Sequence, residues 1–337
     1  MKYVGVDLHK RQFTVCWKLE EGIKLEKYPM NKKGLEEFKK KLDKSTEVAL
    51  EATGNSKYFY DEVIDYAKEV RVINPMQFKV ISQSVKKTDK EDARVIAEYL
   101  SKGLIPEVRI MKKETREIKS LIQTRDKLVK LRSSLKNKIH GILTEQGICS
   151  HKEMFSSEKA LKIVQEMPCS ETSKFEIEVI VEQIKSLNQS IKKIEEKIKE
   201  KGKGLKGGKN LQSITGIGEL SSAIILSNIE EIKDFENEKK LSAYAGLVPR
   251  VYDSGDSIKH GRITKRGNKI LRTTLVQVAL VAIKYNQYLR NFYLRLKQKK
   301  GSGKAIIATA RKMLGIIYRT LKNDWVFSDF NNFVLAN

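Results

Sequence analysis

The chain has 337 residues, of which 40% are hydrophobic and 32% are charged, and its formal net charge is +24. This length and apolar content exclude a disordered tail and allow two or three domains with hydrophobic cores. No run of about eighteen apolar residues is present and the N-terminus does not have the pattern of a signal peptide, so we expect a cytoplasmic protein without a membrane segment.

The cysteines and histidines do not predict a metal site. The chain has three cysteines, Cys16, Cys149 and Cys169. Their odd number and their spacing fit a reducing compartment rather than a disulfide framework. The four histidines are scattered along the chain. The sequence therefore predicts neither a thiolate site nor a zinc site.

Residues 1–111 alternate strand and helix signals. The predicted strands are KYVGVDL and FTVCWKLE, a possible third strand IKLEKYPM, and the short apolar runs EVALEATG and EVRVINP, which Gly and Pro close. Between the last two, Phe59, Val63 and Tyr66 have helical spacing. This pattern predicts an α/β domain that opens with antiparallel strands and continues with alternating strands and helices.

Residues 112–205 have a different, seven-residue repeat. The repeating positions are Leu121, Leu128, Leu135 and Ile142, and later Ile177, Ile184, Ile191 and Ile198. Apolar residues at this spacing over three heptads predict an antiparallel helical coiled coil. A helix pair packed within one chain and an arm for dimerisation both remain open at this point.

Residues 206–337 are predicted to form a mostly helical C-terminal domain, following a linker rich in Gly and Lys, EKGKGLKGGKN. Gly216 and Gly218 precede a helix, as in a helix-hairpin-helix element whose backbone N–H groups approach a phosphate. An ordinary tight turn fits these two glycines equally well. Residues 257–323 contain seventeen Lys and Arg and no Asp or Glu, which predicts a nucleic-acid-binding face.

Two aspartates lie inside a predicted helix of this basic chain. In the stretch KKTDKEDARVIAEYL, Asp89 and Asp92 share one helical face with Ile96 and Tyr99. A carboxylate at the edge of a core is unfavourable unless a cation neutralises it. Arg94 or a lysine is one candidate partner, and a metal ion is the other.

Two further acids follow apolar strand residues. Asp7 ends the first predicted strand and Glu51 ends another, where side chains commonly point into a site. With Asp89 and Asp92, these carboxylates could hold two Mg²⁺ ions about 4 Å apart, with Mn²⁺ able to substitute, for reaction at a phosphodiester. The order Asp, Glu, Asp, Asp matches a RuvC-like or RNase H-like nuclease.

Several motifs resemble one known family in order and spacing. They are GVDLHK, LEATG, INP, KTDKEDA, TGIGELSSA, YAGLVPR and SGDSIKHGRITKRGNKILR. The chain resembles, over nearly its whole length, the DEDD transposases of bacterial insertion sequences, insertion-sequence family 110. The resemblance implies a RuvC-like N-terminal domain whose acidic tetrad is Asp7, Glu51, Asp89 and Asp92. It also implies a C-terminal nucleophilic serine, which matches Ser254, although Ser257 is a second hydroxyl in the same segment.

The resemblance further implies an RNA-guided DNA recombinase that assembles as a dimer or tetramer and acts on the chromosome in the bacterial cytoplasm. A serine without a neighbouring base needs metal activation, so the serine and the acids would have to meet, within one chain or between partners. The basic residues around the serine would hold DNA phosphates: Lys259, Arg262, Lys265, Arg266, Lys269 and Arg272.

Three other functions compete with this interpretation. A RuvC-like Holliday-junction resolvase would use the four acids and water without a serine. An actin-like ATPase or sugar kinase needs a glycine-containing phosphate loop beside the first aspartate, and DLHKRQF contains no glycine. A non-catalytic nucleic-acid-binding protein would use the basic surface alone and would not cleave DNA.

Overall fold

The computed structural model describes residues 1–81, 88–254 and 257–327, without the side chains of residues 79–81 and 251–260. The chain divides into two compact units, Met1–Met111 and Lys112–Asn337. Within the part of the chain described, no helix is long and apolar enough to cross a membrane.

The first unit is a mixed α/β unit built on a five-stranded sheet. Its elements are β1 (Lys2–Leu8), β2 (Gln12–Leu19), β3 (Gly22–Pro29), α1 (Lys32–Lys39), β4 (Thr46–Glu51), α2 (Ser56–Val63), β5 (Glu69–Ile73), α3 (Pro75–Ile81) and α4 (Asp89–Ser101). The strand order is β3-β2-β1-β4-β5. Strands β1 to β3 pair antiparallel, whereas β4 pairs parallel with both β1 and β5. The predicted α/β sheet is confirmed.

Strands β2 and β4 carry runs of five consecutive buried residues, so the sheet buries both faces. One face carries a cluster of aromatic rings, in which Phe13, Phe38 and Phe59 have ring centroids 5.2–5.7 Å apart. Helix α2 contributes Phe59 to this cluster but ends at Val63. Tyr66, predicted on the same helical face, therefore lies beyond the helix and is 46% exposed.

The opposite face of the sheet is covered by α4, at closest approach over Gly5 of β1. A methyl group at Gly5 would lie 2.1 Å from the carbonyl oxygen of Ala93 and 2.4 Å from the backbone nitrogen of Ala97. Only a residue without Cβ allows this contact between strand and helix backbones. Gly5 thus determines how closely the N-terminal half of α4 approaches the sheet.

We expect Gly5→Ala to destabilise the first unit by about 1–3 kcal/mol, because overpacking forces the strand and helix apart. Urea unfolding monitored by circular dichroism measures this change. Gly54→Ala is the matched control, since a methyl group there meets nothing within 4 Å, and its effect should stay within about 0.5 kcal/mol. Equal unfolding midpoints for Gly5→Ala and the wild type would contradict the close contact.

A partly buried carboxylate on the aromatic face of the sheet makes the stability of the first unit depend on pH. Glu26 accepts hydrogen bonds from Trp17 Nε1 at 3.0 Å, from Lys41 Nζ at 2.9 Å and from the Tyr28 hydroxyl. Burial alone would raise the pKa of Glu26, but hydrogen bonds from Tyr28, Lys24 and Lys41 outweigh it and lower the pKa to about 2. The ionised form therefore stabilises the fold.

We expect the free energy of unfolding to decline as the pH falls from about 4.5, the ordinary pKa of this group, to about 2. Glu26→Gln should lower stability at pH 7 by at most about 3 kcal/mol and should flatten this decline. Urea unfolding at several pH values tests both expectations. Parallel pH curves for the variant and the wild type would contradict the assignment to Glu26.

The second unit is mostly helical. Its elements are α5 (Lys113–Glu145), α6 (Glu158–Gln165), α7 (Glu171–Gly202), α8 (Gly208–Gln212), α9 (Glu219–Ile229), α10 (Glu238–Tyr244), β6 (Pro249–Ser254), β7 (Ser257–Ile263), α11 (Lys269–Tyr285), α12 (Gln287–Lys300) and α13 (Ser302–Lys322). Short 3-10 turns lie at Lys152–Phe155 and Ile232–Asp234.

Helices α5 and α7 pack against each other in opposite directions. The end of α5 shares a core with the start of α7, and the start of α5 shares a different core with the end of α7. Between these cores two polar pairs also join the helices: Arg125 Nε donates to Glu195 at 2.6 Å and Arg132 Nη1 donates to Asn188 at 2.8 Å. The predicted stripe of α7 is buried throughout, whereas Leu128 and its heptad neighbours in α5 are only half-buried.

The predicted Gly- and Lys-rich linker is largely part of this packing. Helix α7 continues to Gly202, where a methyl group would lie 2.6 Å from Ala223 Cβ of α9. Leu205 packs beside both the core that joins α5, α7 and α9 and the core of the C-terminal helices. The predicted segments 112–205 and 206–337 therefore lie within one compact unit.

Candidate active site

The first predicted acid lies in a row of polar residues across the sheet. Asp7 of β1 pairs with Thr14 of β2, and Thr14 pairs with Lys27 of β3. On the other side of β1, Val6 pairs with Leu50 of the parallel strand β4, so Glu51 occupies the position next to Asp7. Because side chains alternate along strands, Asp7 shares the face of Gly5, under α4.

The N-terminus of α4 brings a second acid to this row. The Thr88 side chain caps the helix by accepting a hydrogen bond from the Glu91 backbone N–H at 3.2 Å. Asp89, the first helical residue, lies with Oδ2 3.5 Å from Lys27 Nζ. The sequence predicted a helix over residues 89–100, and α4 covers Asp89–Ser101, so the helix is confirmed.

A histidine joins the two aspartates. His9 Nε2 lies 3.0 Å from Asp7 Oδ2 and 3.3 Å from Asp89 Oδ1. Single ligand atoms of Asp7, His9 and Asp89 all lie within 4.8 Å of one another, a spacing that one metal ion could bridge. Asp92, one helical turn further along α4, is close enough for its charge to act on Asp7.

The two aspartates have pKa shifts of opposite sign. Burial raises the pKa of Asp7, His9 lowers it, and the charges of Asp89 and Asp92 raise it further, with a net increase. For Asp89, burial alone would raise the pKa, but the charges and hydrogen bonds of His9 and Lys27 lower it overall. The ionised form of Asp7 is therefore disfavoured in the fold, and a nearby cation would remove this cost.

The donor set fits a divalent metal ion. Carboxylate oxygens are the ligands that Mg²⁺ and Mn²⁺ prefer. Among the described residues, the buried hydroxyl of Thr14, beside Asp7 in the sheet, has no hydrogen-bond partner. The raised pKa of Asp7 and this unpaired hydroxyl indicate a site arranged for an additional positively charged group.

Two residues of this site, His9 and Lys27, were not predicted from the sequence. His9 follows Asp7 by two positions, so the motif DLHK contained a usable signal. Lys27 had no local signal, because only the pairing of three strands brings it beside Asp89.

The predicted nucleophile lies in a β-hairpin of the second unit. Ser254 ends β6 and pairs with Ser257, the first residue of β7. The backbones of the two candidate hydroxyl residues are thus directly opposite each other at the tip of the hairpin. Their side chains lie outside those that the structure describes, as does the side chain of Lys259.

Four of the predicted phosphate-binding residues lie exposed where the hairpin leads into α11. We name them the basic turn: Arg262, Lys265, Arg266 and Lys269. Arg272 is different, because its Nη1 donates to the Ala245 carbonyl at 3.1 Å and it is only partly exposed. Its guanidinium therefore has a structural role in the turn after α10.

The basic turn is held by close backbone contacts and a polar network. Gly267, with φ +118°, passes so near the Tyr244 carbonyl that a methyl group would lie 2.2 Å from it. Asn268 caps α11 by accepting from the Leu271 N–H at 3.0 Å, and its Nδ2 donates to the buried Asn228 at 2.6 Å. The turn therefore presents its cations from a fixed backbone.

Gly216 and Gly218 lie in the turn between α8 and α9. At Gly216, with φ +95°, a methyl group would lie 2.8 Å from the Val278 carbonyl oxygen, so this glycine permits close packing on α11. The Gly218 N–H donates to Ser221 Oγ at 2.9 Å. Both backbones have protein contacts, and phosphate binding by these glycines remains a prediction.

Comparison with known proteins assigns the chain to a class of enzyme. Residues 4–147 match a transposase domain of DEDD type from IS110 elements, and residues 208–294 match the transposase family IS116/IS110/IS902. The chain is similar to the transposase for insertion sequence element IS1111A of Coxiella burnetii, with 29% identity over 95% of this chain and 90% of the relative. It is also similar to a pilin gene-inverting protein of Moraxella bovis, with 25% identity over 96% of this chain and 97% of the relative.

The matches in both units, together with the acidic site, define the chain as a DNA transposase. The DEDD-type domain and the carboxylate cluster indicate that it uses a divalent metal ion. The chain belongs to the IS110/IS116 family of transposases.

Proposed function

We propose that this transposase is an RNA-guided recombinase that cuts and rejoins DNA through a phosphoserine intermediate and requires Mg²⁺. The observation that carries the proposal is the convergence of Asp7 and Asp89 on His9, within 4.8 Å, in the row of the sheet that continues to Glu51. A family assignment in both units supports the DNA chemistry.

The first unit is proposed to be a RuvC-like, RNase H-like catalytic domain. Its three antiparallel strands followed by two parallel ones support this, as does the placement of the acids at one edge of the sheet. We propose residues 112–205 as a coiled-coil segment and residues 206–337 as the domain that carries the serine. The buried stripe of α7 supports the coiled coil.

Asp7, Glu51, Asp89 and Asp92 would hold the metal, with two Mg²⁺ ions as the proposed occupants. When bound, such ions supply Lewis-acid activation of the attacking oxygen and stabilise the leaving oxygen. His9 and Lys27 hold Asp89 ionised, and the Thr88 cap fixes the helix end that carries it. The chain's own residues therefore orient the ligands before the metal arrives.

Ser254 is the proposed nucleophile. Its Oγ forms a bond to phosphorus, the bond from phosphorus to the sugar oxygen breaks, and that oxygen takes up a proton in place of the serine proton. One phosphodiester is exchanged for another, so rejoining needs no ATP. A sugar hydroxyl of the partner strand then attacks the phosphoserine and releases the serine.

The remaining parts of the proposal concern partners. The basic turn holds backbone phosphates, with contributions proposed for Lys259 and Arg272 and for the backbones of Gly216 and Gly218. A noncoding RNA from the element selects the DNA by base pairing, and the protein acts as a homo-dimer or homo-tetramer. We place the reaction at the chromosome in the bacterial cytoplasm, because DNA is the substrate.

The test is recombination between two plasmids that carry the element ends and a target. Purified protein, Mg²⁺ and the noncoding RNA encoded beside the gene are combined, and each component is omitted in turn. The proposal predicts joined products only when all are present. Cutting of branched DNA without the RNA, at an equal rate, would instead favour the junction resolvase.

A further inference from the structure

A groove in the second unit combines aromatic rings with cations, away from the basic turn in sequence. It has a volume of about 680 Å³ and lies between α12, α13 and the segment after α13. We name it the aromatic groove, and its residues used below are Tyr288, Phe292, Arg311, Lys312 and Trp325.

The exposed tryptophan of the groove is held in place by its backbone. Trp325 is 57% exposed, yet its N–H donates to the Thr320 carbonyl at 3.0 Å and its carbonyl accepts from Asn210 Nδ2 at 2.9 Å. Two residues later, the Phe327 N–H donates to Ser213 Oγ at 2.7 Å. Tryptophan is enriched at binding surfaces, because its ring combines a large apolar face with a polar N–H group.

The cations of the groove are placed beside its rings. Lys312 Nζ lies 4.9 Å from the centre of the Tyr288 ring and 4.7 Å from that of Phe292. Among the described residues, neither Lys312 nor Arg311 forms an ion pair with a carboxylate. The acid that lines the groove, Glu238, pairs instead with Arg319 at 3.2 Å.

The two helices of the groove are positively charged throughout. Helices α12 and α13 contain ten Lys and Arg, five in each, and no Asp or Glu. A polyanion is the partner that complements this charge. Flat rings beside unpaired cations match one polyanion in particular, a single strand whose bases stack on the rings while its phosphates contact the cations.

We propose that the aromatic groove binds an unpaired DNA strand, with a base stacked on Trp325 and the backbone phosphates on Arg311 and Lys312. The proposal deepens the proposed function and rests on it, because cutting and exchanging strands releases bases from the duplex. Bases inside a duplex already stack on each other and leave nothing for the rings to bind. A strand separated near the cleavage site supplies such bases.

The test measures binding of full-length protein to a fluorescently labelled twelve-nucleotide oligothymidylate, without metal. Trp325→Ala should weaken binding roughly 5- to 150-fold, the usual loss for one stacked base, and Trp325→Phe should restore most of the affinity. Arg311→Gln should reduce the slope of log affinity against log salt concentration by about the amount that one phosphate contact contributes. Duplex DNA of the same length should bind equally to the wild type and Trp325→Ala.

Tryptophan emission gives a second readout, because Trp17 is buried in the first unit and Trp325 is exposed. In a Trp17→Phe protein, the oligothymidylate should quench the emission of Trp325. Unchanged affinity in Trp325→Ala, or an equal loss for duplex DNA, would overturn the proposal. Tighter binding of oligouridylate RNA than of the DNA strand would assign the groove to RNA.

One further outcome would also overturn it. A chain that ends at Phe327 provides this control, measured without DNA. If its Trp325 emission differs from that of the full chain in the same way as oligothymidylate changes the emission of the full chain, the groove binds the chain's own C-terminal residues. Because these assays need neither metal nor cleavage, they separate failure of the groove from failure of the recombination chemistry.

Discussion

Asp7→Asn protein should lose strand cleavage by about a thousand-fold or more, yet should unfold at a urea concentration equal to or above that of the wild type. The loss follows because Asp7 is a proposed metal ligand. Stability is retained because the raised pKa of Asp7 shows that its ionised form is unfavourable in the fold, where burial and the charges of Asp89 and Asp92 oppose it. At neutral pH a neutral amide removes this cost.

Asp43→Asn is the matched control in the same unit. The Asp43 carboxylate accepts from Lys2 Nζ at 2.7 Å and from the Ser45 N–H at 2.9 Å, and these contacts hold its pKa below the ordinary range. Its replacement should lower the unfolding midpoint and leave cleavage unchanged. Two variants with the same loss of both activity and stability would show that Asp7 acts only through folding.

Ser254→Ala should reduce DNA joining by about a thousand-fold or more, since removal of a nucleophile removes the covalent path. Joining of labelled strands is the measurement. Binding of the same DNA should stay at the wild-type level, because the exposed cations of the basic turn are untouched.

Ser257→Ala is the closest control, as Ser257 pairs with Ser254 across the hairpin. The proposal expects its joining rate within a few-fold of the wild type. The opposite pattern, with Ser257→Ala inactive and Ser254→Ala active, would transfer the nucleophile to Ser257. If both single variants join DNA at the wild-type rate, neither hydroxyl is the required nucleophile.

The positions of Asp7, Glu51 and Asp89 followed from local sequence. An acid that directly follows a run of apolar strand residues lies at the end of that strand. Helical steps of three and four residues place Asp89 on the inner face of α4. The parallel pairing of β1 with β4, which brings two of these ends together, was not predicted. Acids at strand ends nevertheless converge, because parallel neighbours end at the same edge of the sheet.

Features that depend on distant pairing could not be read from the sequence. Lys27 reaches Asp89 because β3 pairs with β2 and β2 with β1, a relation that spans 62 positions. Gly5 must lack a Cβ because the backbones of Ala93 and Ala97, in a helix far along the chain, lie against it. Local periodicity carries no information about such partners.

The heptad pattern shows a different limit. The seven-residue spacing correctly locates the buried stripe of α7. For α5, the same spacing predicts equal burial in every heptad. In the middle of the helix pair, Arg125 and Arg132 bond to Glu195 and Asn188, so the leucines near them are only half-buried. Polar pairs between helices displace an apolar stripe in a way that spacing does not reveal.

A covalent link between Ser254 and DNA would be the most direct sign of the proposed chemistry. Wild-type protein is incubated with labelled element-end DNA, the noncoding RNA and Mg²⁺, and the products are separated on a denaturing gel and then mapped by mass spectrometry after nuclease and protease digestion. We expect a protein–DNA adduct on Ser254 that is absent from Ser254→Ala and Asp89→Ala. Cut strands without an adduct, produced equally well by Ser254→Ala, would contradict the serine mechanism and favour attack by water.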